Sequence, residues 1–216
     1  MMDLTLIQKI AIFAIPVIFA ITLHEAAHGY VALRFGDATA KMMGRLTLNP
    51  LKHIDPIGTI LVPALALMLG GILFGWAKPV PVSFNNLRHP KKDMLWVAAA
   101  GPGANLVMAL FWAAVIKLAH ILPASAYSEP MILMGAAGVT INAILAALNL
   151  IPLPPLDGGR IAVSLLPPRL AYGLARVEPY GLIILVALLF TGMLGVIIGP
   201  LYSAIERLAY SLFGLF

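Results

Sequence analysis

The sequence predicts an all-α polytopic membrane protein with about four to six membrane segments, one of them a re-entrant hairpin, and small β-strand elements in the cytoplasmic loops. Three observations predict it. Of 216 residues, 61% are hydrophobic and 11% charged, against about 45–50% apolar and about 25% charged in a soluble domain. The apolar residues fall in long runs, roughly 10–23, 57–76, 94–122, 130–151 and 179–202, and an apolar run of about 20 residues is what a bilayer core asks of a helix. The basic residues sit in short segments between the runs, so the net charge of +5 reads as a cytoplasmic-face bias and not as a nucleic-acid surface. The polar stretches 34–56, 77–93 and 158–178 are each too short for a core of their own, so residues 1–216 read as a single integral-membrane domain.

The first helix is predicted over about 4–35, ending near Gly36. Its only early basic residue is Lys9, and the apolar run continues unbroken, which reads as a retained helix and not a cleaved signal. Residues 37–56 read as a loop with short strands, because they are polar, contain Gly and Pro and include β-branched positions. Residues 57–75 are apolar but carry Pro63 and Gly70-Gly71. Three prolines make 76–93 extended, and Lys78–Val82 reads as a strand that its prolines confine to an edge. A long helix at about 94–122 contains AGPGAN near its start; a tight connection follows at 125–130, then a helix at about 130–150. The prolines of NLIPLPPLDGGR end that helix. Residues 179–200 read as another span, and 201–216 as a short helix that returns or lies at the interface, with Glu206 and Arg207 beside apolar positions.

The chemistry concentrates at His24-Glu25-Ala26-Ala27-His28. There are no cysteines, so a metal must be held by His, Asp or Glu. Positions i and i+4 share a helix face, so both imidazoles can bind one zinc ion, while Glu25, offset by one, can take a proton from a water the metal has acidified. Two His and a Glu are expensive at membrane depth, which favours function over an interfacial cluster making ordinary hydrogen bonds. A zinc site needs a third protein ligand. His53, His89 and His120 lie in loops or at helix ends, where the last two read as surface residues. Asp157 is the better candidate: it follows an apolar helix and precedes two glycines, although Asp before Gly-Gly is also a common turn. His53 and Asp55 fit either partners of a ligating His or, more simply, the organisation of their own turn. Gly101, Gly103 and Ala104 suit close helix packing, Asn105 fits a structural hydrogen bond across helices near the site, and Arg160 fits either a carboxylate partner or the headgroup region.

HEAAH in the first helix, AGPGAN at 100–105 and NLIPLPPLDGG at 149–159 together resemble the site-2 protease family of intramembrane zinc metalloproteases. GRLTLNPLKHIDPIGT at 44–59 further resembles its compact bacterial branch without a PDZ domain. The resemblance spans about residues 20–165. It implies that His24, His28 and Asp157 ligate one Zn2+ per chain and that Glu25 is the general base. It also implies that Asn149 holds substrate backbone or stabilises the oxyanion, with transmembrane segments of other proteins as substrates.

A shared metal constrains topology. His24 and His28 lie toward the C-terminal end of the first helix, and Asp157 follows the C-terminal end of the helix at 130–150. Both helices then run the same way, with an odd number of crossings between them. The helix at 94–122 supplies one, so 57–75 is expected to enter the membrane and return. The basic residues of 34–56, 76–93 and 158–178 place those segments in the cytoplasm and the connection 123–129 outside. The expected setting is thus the inner (plasma) membrane, with the site toward the cytoplasm and strand addition at Lys78–Val82 or Arg45–Leu48 as a means of holding substrate. Two rivals are weighed. An inert metal-binding adaptor or chaperone has no use for Glu25, and a metal transporter needs a polar through-path that the 179–200 helix lacks.

Overall fold

The computed structural model describes residues 5–56, 58 and 78–215. Helix α1 spans Leu6–Arg34. It starts where Thr5 and Gln8 cap each other reciprocally and ends at Gly36, whose φ of 106° only glycine adopts easily. Short α2 (Thr39–Met42) and a 3-10 turn at Pro50–Lys52 follow. Helix α3 spans Pro90–Ile121 and begins with the His89 N–H donating to Asp93 Oδ2 at 2.7 Å. Helix α4 spans Ser128–Asn149, α5 Asp157–Leu165, α6 Pro168–Ala175, α7 Glu178–Phe190 and α8 Met193–Leu212.

Among the described residues, three helical stretches are long and apolar enough to cross a membrane: Ile10–Arg34, Pro90–Ile121 and Ser128–Asn149. A fourth is possible if α6 and α7, bent by 63°, count as one broken span. At 1.5 Å per residue the 25 residues of the first give about 38 Å, more than the ~30 Å hydrocarbon core. Ile7, Ile10, Phe13, Ile18 and Phe19 on α1, and Val107, Phe111 and Leu118 on α3, face outward. In water such a surface would be a liability; in a bilayer it is the lipid-facing side.

Cross-helix contacts fix the directions. His28 meets Val97 and His24 meets Asn105, so α3 runs antiparallel to α1. Asn105 meets Asn142, Trp112 meets Gly138 and Ile116 meets Gly135, so α4 runs antiparallel to α3 and parallel to α1. That is the relative direction a shared metal demands. The α3–α4 seam is close because Gly135 and Gly138 have no Cβ: one at Gly138 would overlap the Trp112 ring. On the other side α8 closes the core, Ala209 against Trp112, Ala113, Ile116 and Val139, and Ile205 against Ala109, Ala143 and Ala146.

Several expectations are corrected. No strand forms among the described residues: 37–56 contains α2 and a 3-10 turn, and 78–82 is extended without a partner strand. Pro79 and Pro81 have no N–H for a ladder, and the Val80 N–H is taken by a side chain. The apolar run 179–202 is two helices, because Gly192 adopts φ 73° between α7 and α8. Residues 201–212 belong to α8 and pack on α3 and α4, so they are not a separate interfacial helix. The expected re-entrant segment 57–75, apart from Gly58, lies outside the described residues. Its flanks meet, with the Lys78 N–H donating to His53 O at 2.9 Å.

Candidate active site

His24 and His28 sit one turn apart on α1, facing α3 and α5. Each ring is oriented through Nδ1: His24 Nδ1 lies 2.6 Å from Asn105 Oδ1, and His28 Nδ1 lies 2.7 Å from the Val97 carbonyl. Both partners are acceptors, so each Nδ1 carries the proton and each Nε2 presents a lone pair. The two Nε2 atoms are 3.2 Å apart, and each lies 3.3 Å from Asp157 Oδ2. The three side chains are only 9–11% exposed. Asp157 Oδ2 is buried and has no hydrogen-bond partner.

Two lone pairs and a carboxylate oxygen aimed at one another in a buried site repel unless a cation lies among them. A tetrahedral zinc ion with bonds of about 2.0–2.1 Å has ligand–ligand edges of ~3.3 Å. The triangle of 3.2, 3.3 and 3.3 Å therefore fits zinc without rearrangement. The donor set of two imidazoles and one carboxylate is the kind that leaves a fourth position open.

Local sequence explains how the donors converge. Gly101 of α3 lies directly over the imidazoles: a Cβ there would overlap His28 Nε2 and come within 2.6 Å of His24 Cε1. Asp157 opens α5 after the proline-rich turn 150–156. A Cβ on Gly158 would overlap the Leu150 carbonyl, and one on Gly159 would overlap Pro154 N. The two glycines thus let the first turn of α5 press onto the backbone that turns it toward α1.

Glu25 is half-buried beside this cluster, and its Oε2 accepts the Val80 N–H at 2.7 Å. His24, Glu25, His28 and Asp157 share one cleft with Pro79, Val80, Asn149 and Arg160. The structure thus brings Asn149 to the cleft wall, its amide donating to Leu145 O at 3.0 Å, while Arg160 is exposed at the rim. His53 lies elsewhere: its Nε2 meets Thr47 O at 2.9 Å, and Asp55 accepts from the Gly58 N–H at 2.7 Å, so both organise their own loop. His89 and His120 are exposed. Strand addition at Lys78–Val82 is not supported, because the Lys78 and Pro79 carbonyls accept from Arg45 and the Val80 N–H is occupied.

Asn105 makes the hydrogen bonds across helices that the sequence suggested and adds a role at the site, orienting His24 and donating to Asn142 Oδ1 at 2.9 Å and Ala20 O at 3.3 Å; sequence reasoning missed its partner Asn142. Asn142 in turn donates to Gly138 O at 2.9 Å. Both asparagines are fully buried, and an amide in an apolar helix was the available signal. Their mutual bonding also uses the polar groups that a transport path would need.

Residues 113–192 match the family model described as Peptidase family M50. The chain is 39% identical over 198 residues to "Putative zinc metalloprotease YwhC" of Bacillus subtilis (strain 168), covering 88% of this chain and 85% of that one. The chain belongs to peptidase family M50. As an M50 member it is a membrane zinc metalloprotease, of the site-2 protease family that its motifs resemble. It is also 34% identical over 175 residues to "Putative zinc metalloprotease Rip2" of Mycolicibacterium smegmatis, covering 81% of this chain and 64% of that relative. Against the protein of the same name from Mycobacterium tuberculosis (strain H37Rv) it is 32% identical over 174 residues, covering 78% of this chain and 62% of that one. No solved structure matches it. The M50 model covers Asn142, Asn149 and Asp157, whereas HEAAH lies before its matched region.

Proposed function

We propose that this protein is an intramembrane endopeptidase that binds one zinc ion per chain and cuts transmembrane segments of other membrane proteins. The observation that carries the reading is the convergence of three buried donors, His24 Nε2, His28 Nε2 and Asp157 Oδ2, beside the Glu25 carboxylate. Zinc, when bound by these three, supplies a Lewis acid that acidifies water and polarises a peptide carbonyl. Asn105 and the Val97 carbonyl keep both rings in the tautomer that offers Nε2. Glu25 accepts the proton of the attacking water and passes it to the departing amine; the Val80 N–H holds one of its oxygens and leaves the other for that exchange. Asn149, on the cleft wall, holds the substrate carbonyl or its oxyanion.

A membrane helix has no free peptide groups, so a substrate must unwind before its backbone enters the cleft. Helix-breaking residues near the scissile bond therefore raise the cleavage rate. The basic residues of 34–56, 76–93 and 158–178 favour the inner (plasma) membrane with the cleft opening to the cytoplasm. A reporter fused near residue 85 is expected to score as cytoplasmic.

The test is cleavage of a panel of single-span substrates by purified protein, with Glu25→Gln as control. The variant is expected to keep zinc and lose about 10²–10⁴-fold in rate. Equal activity would overturn the mechanism. Zinc retention with no cleavage by the wild type would favour an inert metal-binding adaptor.

A further inference from the structure

The contact between Val80 and Glu25 has a second half. Val80 lies in Lys78-Pro79-Val80-Pro81-Val82, where neither proline has an N–H, so its amide is the one donor between Lys78 and Val82. That amide donates to Glu25 Oε2 at 2.7 Å. On the other side, Arg45 Nη2 donates to Lys78 O at 2.9 Å and Pro79 O at 3.3 Å. The Pro79 carbonyl and the Val80 N–H belong to one planar peptide unit and point in opposite directions. A single rigid plane is thus clamped at its oxygen by a guanidinium and delivered at its hydrogen to a carboxylate.

We propose that Arg45 is a positioning residue for Glu25, acting through the Pro79–Val80 peptide. The proposal rests on the protease reading. Two further observations support it. Arg45 is buried, and its Nε has no partner. A buried guanidinium left partly unsatisfied is a poor way to stabilise a loop, where an apolar side chain would serve as well. Gly29, one turn beyond Glu25, keeps α1 flat where this segment lies. A Cβ there would come within 3.0 Å of Val80 Cγ1 and 2.9 Å of Leu46 Cδ1. The loop carrying Arg45 and the segment carrying Val80 are therefore seated together on the helix face that holds the general base. A cation at the carbonyl also polarises the peptide and strengthens the bond its N–H makes.

The test uses the full chain in detergent, as wild type, Arg45→Met, Arg45→Lys and Glu25→Ala. Because prolines flank Val80, hydrogen exchange in a fragment covering 78–82 isolates its amide from other internal donors. Exchange there is expected to quicken about 10–100-fold in Arg45→Met and in Glu25→Ala, the loss of one charge-assisted hydrogen bond. Arg45→Met is expected to lower kcat about tenfold with KM and zinc content unchanged, and Arg45→Lys, which still donates to a carbonyl, to recover part of both effects. Unchanged Val80 exchange in Arg45→Met overturns the proposal. So does a rise in KM at constant kcat, which would assign the segment to substrate. Zinc loss in both Arg45 variants would reduce Arg45 to a structural role and overturns it too. Exchange that quickens in both variants while the wild type cleaves nothing refutes the protease reading and supports the coupling of Arg45 to Glu25.

Discussion

Replacing Asn105 by Leu separates the two tasks of that side chain. Asn105 Oδ1 accepts from the His24 Nδ1–H at 2.6 Å, and Nδ2 donates to Asn142 Oδ1 at 2.9 Å. Leu has the branching and the side-chain heavy-atom count of Asn, so the change removes hydrogen bonds without opening a cavity. Loss of the partner behind a ligating His typically costs about 10–100-fold in metal affinity, or about 1.4–2.8 kcal/mol. Asn142 is fully buried, and its Oδ1 loses its donor, which destabilises the metal-free fold by about 1–3 kcal/mol. Asn105→Asp keeps an acceptor for His24 but cannot donate to Asn142. It is expected to regain most of the zinc affinity and little of the metal-free stability. Competition with a chromogenic chelator reads the first quantity, and thermal unfolding of chelator-treated protein reads the second. If Asn105→Leu binds zinc within about twofold of wild type, well short of the range such partners normally command, the argument that Asn105 orients His24 is refuted.

Gly101→Ala places a methyl on the His28 and His24 rings, and overpacking of about 1–3 kcal/mol is expected to appear as weaker zinc binding in the same chelator assay. Asp37 should make one loop acid-sensitive. Burial pushes its carboxyl up, but hydrogen bonds from Thr39, Ser83 and Asn86 outweigh this and hold it below its ordinary value. A depressed folded value means stabilisation that is complete above the unfolded value of about 3.9 and is lost as pH falls through the folded one. Protection of the Ser83 amide, which donates to Asp37 at 2.6 Å, should therefore fade below about pH 4, and Asp37→Asn should abolish that step. Gly192→Ala meets no neighbouring atom, so its cost is the left-handed backbone alone, about 1–2 kcal/mol in thermal unfolding with zinc affinity unchanged.

The three long helices and the convergence of His24, His28 and Asp157 were legible because both rest on strong local signals. Twenty-residue apolar runs have few alternatives, and two His at i and i+4 with an Asp before Gly-Gly can be brought together by few topologies. The parallel course of α1 and α4 followed from that cluster and is seen in the His24–Asn105–Asn142 contacts. What stayed hidden depends on backbone groups and on tertiary choice. Val97 contributes a carbonyl and Val80 an N–H, and neither function depends on the side chain. The strands expected at 37–56 and 78–82 were inferred from β-branched residues and prolines. Arg45, Asp37 and Glu25 bind that backbone with side chains instead, so no ladder is needed. The split of 179–202 turned on Gly192, one glycine among many in an apolar stretch, whose φ of 73° hydropathy does not register.

The relay from His24 through Asn105 and Asn142 to Gly138 O joins α1, α3 and α4. An ion seated on His24 is therefore connected to the packing of the whole core. A ligand that binds only the folded state adds RT ln(1 + [L]/Kd), about 2.7 kcal/mol when free zinc exceeds Kd a hundredfold. Metal scarcity then lowers the folded population as well as the rate. Starved molecules become candidates for cellular quality control, so the abundance of this protein in the membrane is expected to follow zinc supply.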